Sequence, residues 1–508
     1  MNLEKSNKDL SFYINYHYKF TPKDIFLTKN KIKITYENLY LSIVKVHNFL
    51  RSKKIRKNQI IIGYFDNSIE QIYFMLGVIT FGAIWVPLSN DREKNYLNHI
   101  LQNINFVAIV TQKKFIKNFS KKYLSKINFI NKNFFQLNSK KNNYLELIKT
   151  NIHKPCCIIF TSGTSGPPKG VLVTQKMLVL SAIGNQLASN QKDNDRYLLW
   201  ESLHHIAGMQ LIVMRLISNI QVFLVKRFSS KNFWRIMYEK KITKLHYLGG
   251  ILEILLKNKK NFFEKKHYTN LAYGAGCRKD IFLAFQKRFN IPIREVYGMT
   301  ESSSFTSINY KNTPGIIGKV LPWLNLSLFN QGKKIIKKNL VGEIGLKEKV
   351  KGSITPGYYG KKLINKNNFF LTGDLAKFNK DNDLIYVGRS TDSIRKKGIN
   401  ISSWEIETVL NSHKLISESA ALSIPAQIGE NEILAILLIN NKNNKKITDI
   451  RKLTFFFKKK FSKFSFPRYW AFISSFPRTP TLRIDKKNIN IKLLNIFDSV
   501  ADKYKNLE

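Results

Sequence analysis

The chain is short of acid. Against 84 lysines and arginines stand 34 aspartates and glutamates, a formal net charge of +50 over 508 residues. That excludes an acidic, solvating chain and raises nucleic acid or an anionic membrane as a partner. No separate basic tail stands out, however. The cations are spread along the whole chain among asparagine, isoleucine and phenylalanine. A compositional bias toward these residue types accounts for the charge as well as function does, and the charge still draws anions such as nucleotides. Cysteine is scarcer still. Cys156, Cys157 and Cys277 are the three present. They make no disulfide framework and have no metal-ligand spacing. The adjacent pair reads as small apolar filler in a buried strand, and a reduced cytoplasm fits. A membrane-length apolar run is also missing. The longest, residues 73–88, falls short of the roughly 20 residues a spanning helix needs and contains Gly77, Gly82 and Pro87. The N-terminus leads to no signal-peptide core.

What the chain has is length and apolar content for more than one core. Hydrophobic residues make up 44% and aromatics 13%, and two or more domains are expected. The most informative stretch starts at Cys156-Cys157-Ile158-Ile159-Phe160 and runs into Thr161-Ser162-Gly163-Thr164-Ser165-Gly166-Pro167-Pro168-Lys169-Gly170. Apolar flanks read as strands. The glycines and prolines between them break both regular elements. Glycines let backbone N–H groups approach a ligand, and successive N–H groups in a turn form an anion nest. Hydroxyls and one lysine complete a cradle for polyphosphate. A Walker A loop is excluded, because Pro168 precedes the lysine and a strand-like segment follows.

Along the chain, a short strand at 34–37 is expected to enter a helix that runs to about Leu50, with strands at 60–64, 82–88 and 106–110 and a helix from Ser68 through Ile79. A second series has strands at 221–225, 244–248 and 271–276 and a helix at 233–238. Residues 203–209 read as a turn. The lysine- and asparagine-rich stretches 113–141, 257–266 and 333–339 read as exposed connections. Alternating strands and helices argue for an open, mainly parallel sheet, with ligands beyond the strand ends. From Ser390 a helix at 404–412, strands at 418–424 and 433–439 and a basic helix at 453–464 suggest a small α+β domain.

Five motifs now stand in order: residues 161–170, Tyr297-Gly298-Met299-Thr300-Glu301, Thr372-Gly373-Asp374, Gly388-Arg389 with Asp392, and Pro477-Arg478-Thr479-Pro480-Thr481. Together they make the chain similar to the ANL superfamily of adenylate-forming enzymes, in its acyl-CoA synthetase branch. Wording around Phe233-Trp234, His246-Tyr247-Leu248-Gly249 and Tyr273-Gly274-Ala275-Gly276 resembles crotonobetaine/carnitine-CoA ligases most.

The resemblance implies an α/β fold. A large N-terminal domain of stacked, mainly parallel sheets with helices and a β-rich subdomain spans residues 1–389. A small mobile α+β C-terminal domain spans 390–508, with a hinge near Thr391. It implies ATP, Mg²⁺ and coenzyme A as co-reactants. A carboxylate attacks the α-phosphate of ATP, the small domain rotates, and the thiol displaces AMP. Pyrophosphate is expected on Thr161, Ser162, Gly163, Thr164, Ser165 and Gly166 with Lys169 at the rim. Glu301 is expected to hold Mg²⁺ and Thr300 to touch the α-phosphate. Tyr297, in its motif with Gly298, is expected to stack on adenine, with Gly274, Ala275 and Gly276 along the ring edge. Asp374 and Arg389 are expected at the ribose, His205 near the acyl carboxylate, and Gly398 beside the pantetheine arm. Where the family has an adenylation lysine this chain has Arg483, an exchange that keeps charge but not geometry. Either Arg483 bridges carboxylate and phosphate, or Lys486 substitutes, or adenylation is slow. Gln175 stands where a histidine is common.

A quaternary ammonium acid would want aromatic faces and a counter-charge; Trp200, Glu201, His246 and Tyr247 are the residues considered for it, beside a neutral short- or medium-chain acid. Two other functions stay open. One is a stand-alone adenylating enzyme loading a carrier protein. The other is a basic nucleic-acid- or membrane-binding protein with a decayed site. No specific nucleic acid is expected; peripheral membrane contact and the oligomeric state stay open.

Overall fold

The computed structural model describes residues 3–90, 94–130, 132–135, 146–161, 168–396, 399–425, 431–439, 450–461, 465–479 and 483–505. Local chemistry sets its helix ends. Ser68 accepts from the Gln71 N–H to start the helix Ile69–Phe81, and Gly82 ends it at φ 87°, where a Cβ would be strained. Thr35 and Asn38 form a capping box at the start of Tyr36–Ser52.

Two large sheets follow from the alternation of strands and helices. One has six strands. Ile127–Phe129, Ala108–Thr111, Ile60–Tyr64, Ile84–Leu88 and Pro155–Thr161 run parallel. Lys169–Thr174 closes it as an antiparallel partner of Pro155–Thr161. The strand Ile60–Tyr64 is buried throughout, as expected for a parallel strand covered on both faces. The other sheet has nine strands. Its parallel centre is Ile293–Tyr297, Leu271–Ala275, Lys244–Leu248, Arg196–Leu199, Gln221–Leu224 and Ile25–Lys29. The helices Gln175–Ser189, Ile206–Ile217, Tyr36–Ser52 and Ile69–Phe81 contribute to one core with Trp85, Cys157, Tyr197 and Tyr273. Each fully buried large aliphatic or aromatic side chain there is worth about 1.5–3 kcal/mol over its exposed state.

A five-stranded antiparallel sheet runs from Leu324–Asn330 to Leu384–Arg389 and shares that core. Beyond it the packing is separate. Two further cores draw only on residues between Ile394 and Phe497. They lie around the five-stranded sheet that begins with Ile416–Pro425 and Asn431–Ile439. The architecture is α/β with mixed sheets and a smaller C-terminal part.

Three expectations are corrected. Residues 113–141 do not form a bare connection: Lys113–Asn118 and Lys121–Lys126 are 3-10 turns and Ile127–Phe129 is an edge strand. Phe119 and Tyr123 are buried beneath the lysines, so a few apolar side chains anchor a segment that reads as polar. The turn at 203–209 becomes a helix at Ile206, with His205 at its N-cap. The basic helix near the C-terminus is shorter, Ile450–Lys458.

Candidate active site

The strands Pro155–Thr161 and Lys169–Thr174 form a hairpin in which Thr161 is opposite Lys169. Its tip, with Ser162, Gly163, Thr164, Ser165 and Gly166, lies outside the described residues. The two ends are fixed. Thr161 is half-buried and Lys169 exposed. Residues 355–359 clasp the second strand: Leu172 N–H donates to Gly357 O at 3.0 Å and Tyr359 N–H to Gly170 O at 2.7 Å. The Thr355 hydroxyl donates to Leu172 O at 2.6 Å. The same segment holds Glu301. Thr355 N–H donates to the Glu301 carbonyl at 2.8 Å, and the Tyr358 hydroxyl donates to Glu301 Oε1 at 3.0 Å. Lys169 Nζ stands 5.7 Å from the centre of the Tyr358 ring.

Glu301 is buried, in the short 3-10 turn Thr300–Ser302. Burial pushes its carboxyl above the usual range; the Tyr358 hydroxyl and the positive charges of Arg389 and Lys169 pull it back. Gly298 is obligatory in this turn, because a Cβ there would sit 1.8 Å from Ser304 O. Thr300 is half-buried beside Glu301.

Tyr297 leads into the turn and is itself tied down. Its hydroxyl donates to Asp374 Oδ2 at 2.7 Å. Asp374 is 3% exposed and sits across from Arg389 on the neighbouring strand. Arg389 Nε donates to Asp374 Oδ1 at 2.8 Å. The ring proposed for adenine and the pair proposed for ribose thus form one network.

The strand Leu271–Ala275 brings up the glycines. Gly274 packs against the next strand so closely that a Cβ would meet Tyr247 O at 1.9 Å. The backbone N–H of Gly276 donates to Glu295 Oε1 at 2.7 Å and that of Cys277 at 2.9 Å. The Tyr247 hydroxyl donates to Glu295 Oε2 at 2.6 Å. Burial raises the Glu295 carboxyl to about 7 against these donors and the charge of Arg483. Sequence reasoning passed over both Glu295 and Tyr358. Glu295 stands two residues before Tyr297 in a strand, where period-2 alternation puts it on the buried face; that signal was readable. Tyr358 had none, since its partner is 57 residues away.

Arg483 enters from the small C-terminal part. Thr479 N–H donates to its carbonyl at 2.8 Å, its own N–H to Thr479 Oγ1 at 3.1 Å, and Arg478 pairs with Ile484. Pro480 and Thr481 lie outside the described residues, as does Gly398. The Arg483 charge pulls down the Glu295 carboxyl and the Tyr386 hydroxyl against their burial. Lys486 is engaged elsewhere: its Nζ is 2.7 Å from Glu407 Oε1.

The residues considered for an ammonium are held by the fold in different degrees: Trp200 is half-buried and its Nε1 donates to the His246 carbonyl at 3.1 Å. Tyr247 is fully buried with its hydroxyl spent on Glu295. Glu201 and His246 pair with each other in the interior. His205 is half-buried, 4.2 Å from the His204 ring centre. Gln175 is structural: it accepts from Leu10 N–H and donates to Thr150. Cys156 and Cys157 are buried, and burial pushes both thiols up.

A family model described as AMP-binding enzyme matches residues 16–359. The chain belongs to the AMP-binding enzyme family. Within it the chain is of the AMP-forming acyl-CoA ligase type, and ATP, Mg²⁺ and coenzyme A are the co-reactants of that type. A 2-succinylbenzoate–CoA ligase of Bacillus cytotoxicus is 24% identical over 478 residues, covering 92% of this chain and 96% of the relative. The fold of o-succinylbenzoate coenzyme A synthetase from Bacillus subtilis, solved with the acyl-adenylate OSB-AMP, superposes with a TM-score of 0.82. The identity is 20%, over 94% of this chain and 97% of that one. ATP-bound MatB from Rhodopseudomonas palustris gives 0.84 at 18% identity, over 94% and 97%. The sequence resemblance to carnitine ligases is a side branch of this family match, and a carnitine-like acid has no support in it.

The site suits the magnesium that comes with ATP. Glu301 is an oxygen donor, which Mg²⁺ prefers. Among the described residues no group of three His, Cys, Asp or Glu could enclose a metal. Its remaining ligands would be phosphate oxygens and water, and it would neutralise phosphate charge there.

Proposed function

We propose that the chain activates 2-succinylbenzoate, or a close aromatic dicarboxylate, and joins it to coenzyme A. A carboxylate oxygen bonds to the α-phosphorus of ATP and pyrophosphate leaves. The coenzyme A sulfur then bonds to the acyl carbon, AMP leaves, and the thiol proton goes to solvent. The observation that carries the chemistry is the cleft where Lys169 and Arg389 lend positive charge to Glu301 and Arg389 pairs with Asp374, with the charge of Arg483 acting on Glu295 beneath the glycine turn. Adenylation needs charge neutralised and groups aligned more than it needs covalent help. In this reading Lys169 meets the departing pyrophosphate. Tyr358 holds Glu301 toward the metal, and Thr300 meets the α-phosphate. Tyr297, Gly298, Gly274, Ala275 and Gly276 seat adenine, and Asp374 with Arg389 seats ribose. Arg483 bridges carboxylate and phosphate, because Lys486 is committed to Glu407. His205 lies toward the acid, and Gly398 toward the pantetheine arm.

The choice of acid rests on the named activity of the curated relative, which this chain matches over nearly its whole length. A net charge of +50 favours an acid with two carboxylates over a cationic one. Residues 1–389 and 390–508 are the two domains of this reading, turning at Thr391. A reducing compartment, the cytoplasm, suits the three free cysteines. The test is ATP–pyrophosphate exchange with a panel of acids, then mass analysis of products with coenzyme A. Exchange greatest with 2-succinylbenzoate, with its coenzyme A thioester as product, supports the reading. Exchange only with aliphatic or cationic acids overturns the acid; none with any acid overturns the ligase.

A further inference from the structure

The hairpin bearing Arg483 is tied to the large part of the chain through one carboxylate. Glu418, in the strand Ile416–Pro425, is buried. Its Oε2 accepts from Arg478 Nη2, at the root of that hairpin. Its Oε1 accepts from Lys257 Nζ at 3.3 Å, and the same ammonium donates to Ser417 Oγ at 3.0 Å. Lys257 is the last residue of the helix Gly249–Lys257 in the large part. One turn back, Glu253 lies 2.9 Å from Lys257 Nζ and 3.5 Å from Arg278 Nη1. Arg278 directly follows the Gly276-Cys277 turn whose amides hold Glu295. Charges therefore alternate from the glycine turn to the arginine hairpin: Arg278, Glu253, Lys257, Glu418, Arg478.

Such a row has two consequences. Glu418 stands between two cations from different parts of the chain, so its charge fixes how they sit. Lys257 is half-exposed, so its link to Glu418 breaks at low cost and weakens with salt.

We propose that Glu418 is a positioning residue for the first half-reaction. By joining Lys257 to Arg478 it seats Arg483 over the cleft, and its link to Lys257 opens when the small part turns for thiol transfer. This rests on the adenylate-then-thiol reading above.

The test uses the full chain carrying Glu418→Gln or Lys257→Ala, with the acid that gives most exchange in the wild type. Glu418→Gln should lose about five- to ten-fold in exchange rate and Lys257→Ala about two- to five-fold, since the Lys257 link is half-exposed. KM for ATP should hold, and thiolysis of supplied acyl-adenylate by coenzyme A should be unchanged or faster. Rising salt should slow wild-type exchange and leave the variants flat. Equal loss in both half-reactions, or wild-type exchange in Lys257→Ala, overturns the proposal; Lys257 is exposed enough that its loss does not threaten folding. A wild type silent with every acid sinks the ligase reading instead. The bridge is then read by small-angle scattering. Expansion of the wild type with salt, matched by Lys257→Ala at low salt, supports it, and identical profiles throughout overturn it.

Discussion

Tyr358 reaches Glu301 with its hydroxyl, 3.0 Å from Oε1, and its ring faces Lys169. One side chain thus joins the second strand of the hairpin to the carboxylate proposed for magnesium. A hydrogen bond to a carboxylate is worth more than one between neutral groups.

Tyr358→Phe keeps the ring and removes that bond. The expected result is about a ten-fold loss in kcat/KM for magnesium-ATP, from a charged hydrogen bond of about 1.5–3 kcal/mol only part of which is recovered by water. Steady-state exchange at varied Mg²⁺ checks it. Full activity at every Mg²⁺ concentration would deny Tyr358 any part in holding Glu301.

Arg483→Ala should cut acyl-adenylate formation by about a hundred-fold or more, the scale of losing a charge aimed at a developing anion. Thiolysis of supplied adenylate should survive. Lys486→Ala should not reproduce the loss, because Lys486 is bound to Glu407. Single-turnover assays of each half-reaction separate the two cases.

Glu295 should make stability depend on pH. Burial raises its carboxyl from 4.5 to about 7, so the folded chain holds this proton more tightly than the unfolded one. Its contribution is complete below about pH 4.5 and is lost as pH climbs toward about 7. Relative to Glu295→Gln, the wild type should lose up to about 1.4 kcal/mol per pH unit inside that window. Thermal midpoints of both proteins across pH 4.5 to 8 measure the difference. A constant difference would mean that Glu295 does not titrate there.

Gly274→Ala puts a Cβ 1.9 Å from the Tyr247 carbonyl oxygen. One strand must move, at a cost of about 1–3 kcal/mol. The midpoint should fall, and ATP binding with it, because the shifted strand carries Ala275 and Gly276. Calorimetric titration with ATP shows whether affinity falls beyond what unfolding explains.

That the residues proposed for the nucleotide come together was legible because they are written in contiguous motifs. Thr300 and Glu301 adjoin, and Asp374 and Arg389 come together through a short antiparallel connection. Strand and helix ends were legible where caps are local, at Thr35, Ser68 and Gly82. The acid side was not. Trp200, Glu201, His246 and Tyr247 were the residues considered for a cationic acid. Yet the Tyr247 hydroxyl donates to Glu295 in the interior, and His246 pairs with one carboxylate oxygen of Glu201, whose Oε2 is buried without a partner among the described residues. A buried polar group needs a partner, and sequence does not say whether that partner is a ligand or another side chain.

The order of residue types along the chain by itself determined the alternating strands and helices and the pair of strands on either side of the glycine- and hydroxyl-rich stretch. These depend on periodicity and backbone freedom, which act over a few residues. The tertiary structure alone decided that Lys486 pairs with Glu407 while the charge of Arg483 acts on Glu295, that Tyr358 donates to Glu301, and that Glu418 stands between Lys257 and Arg478. Those pairings join residues 57 to 161 positions apart, and only packing brings such groups within hydrogen-bond reach.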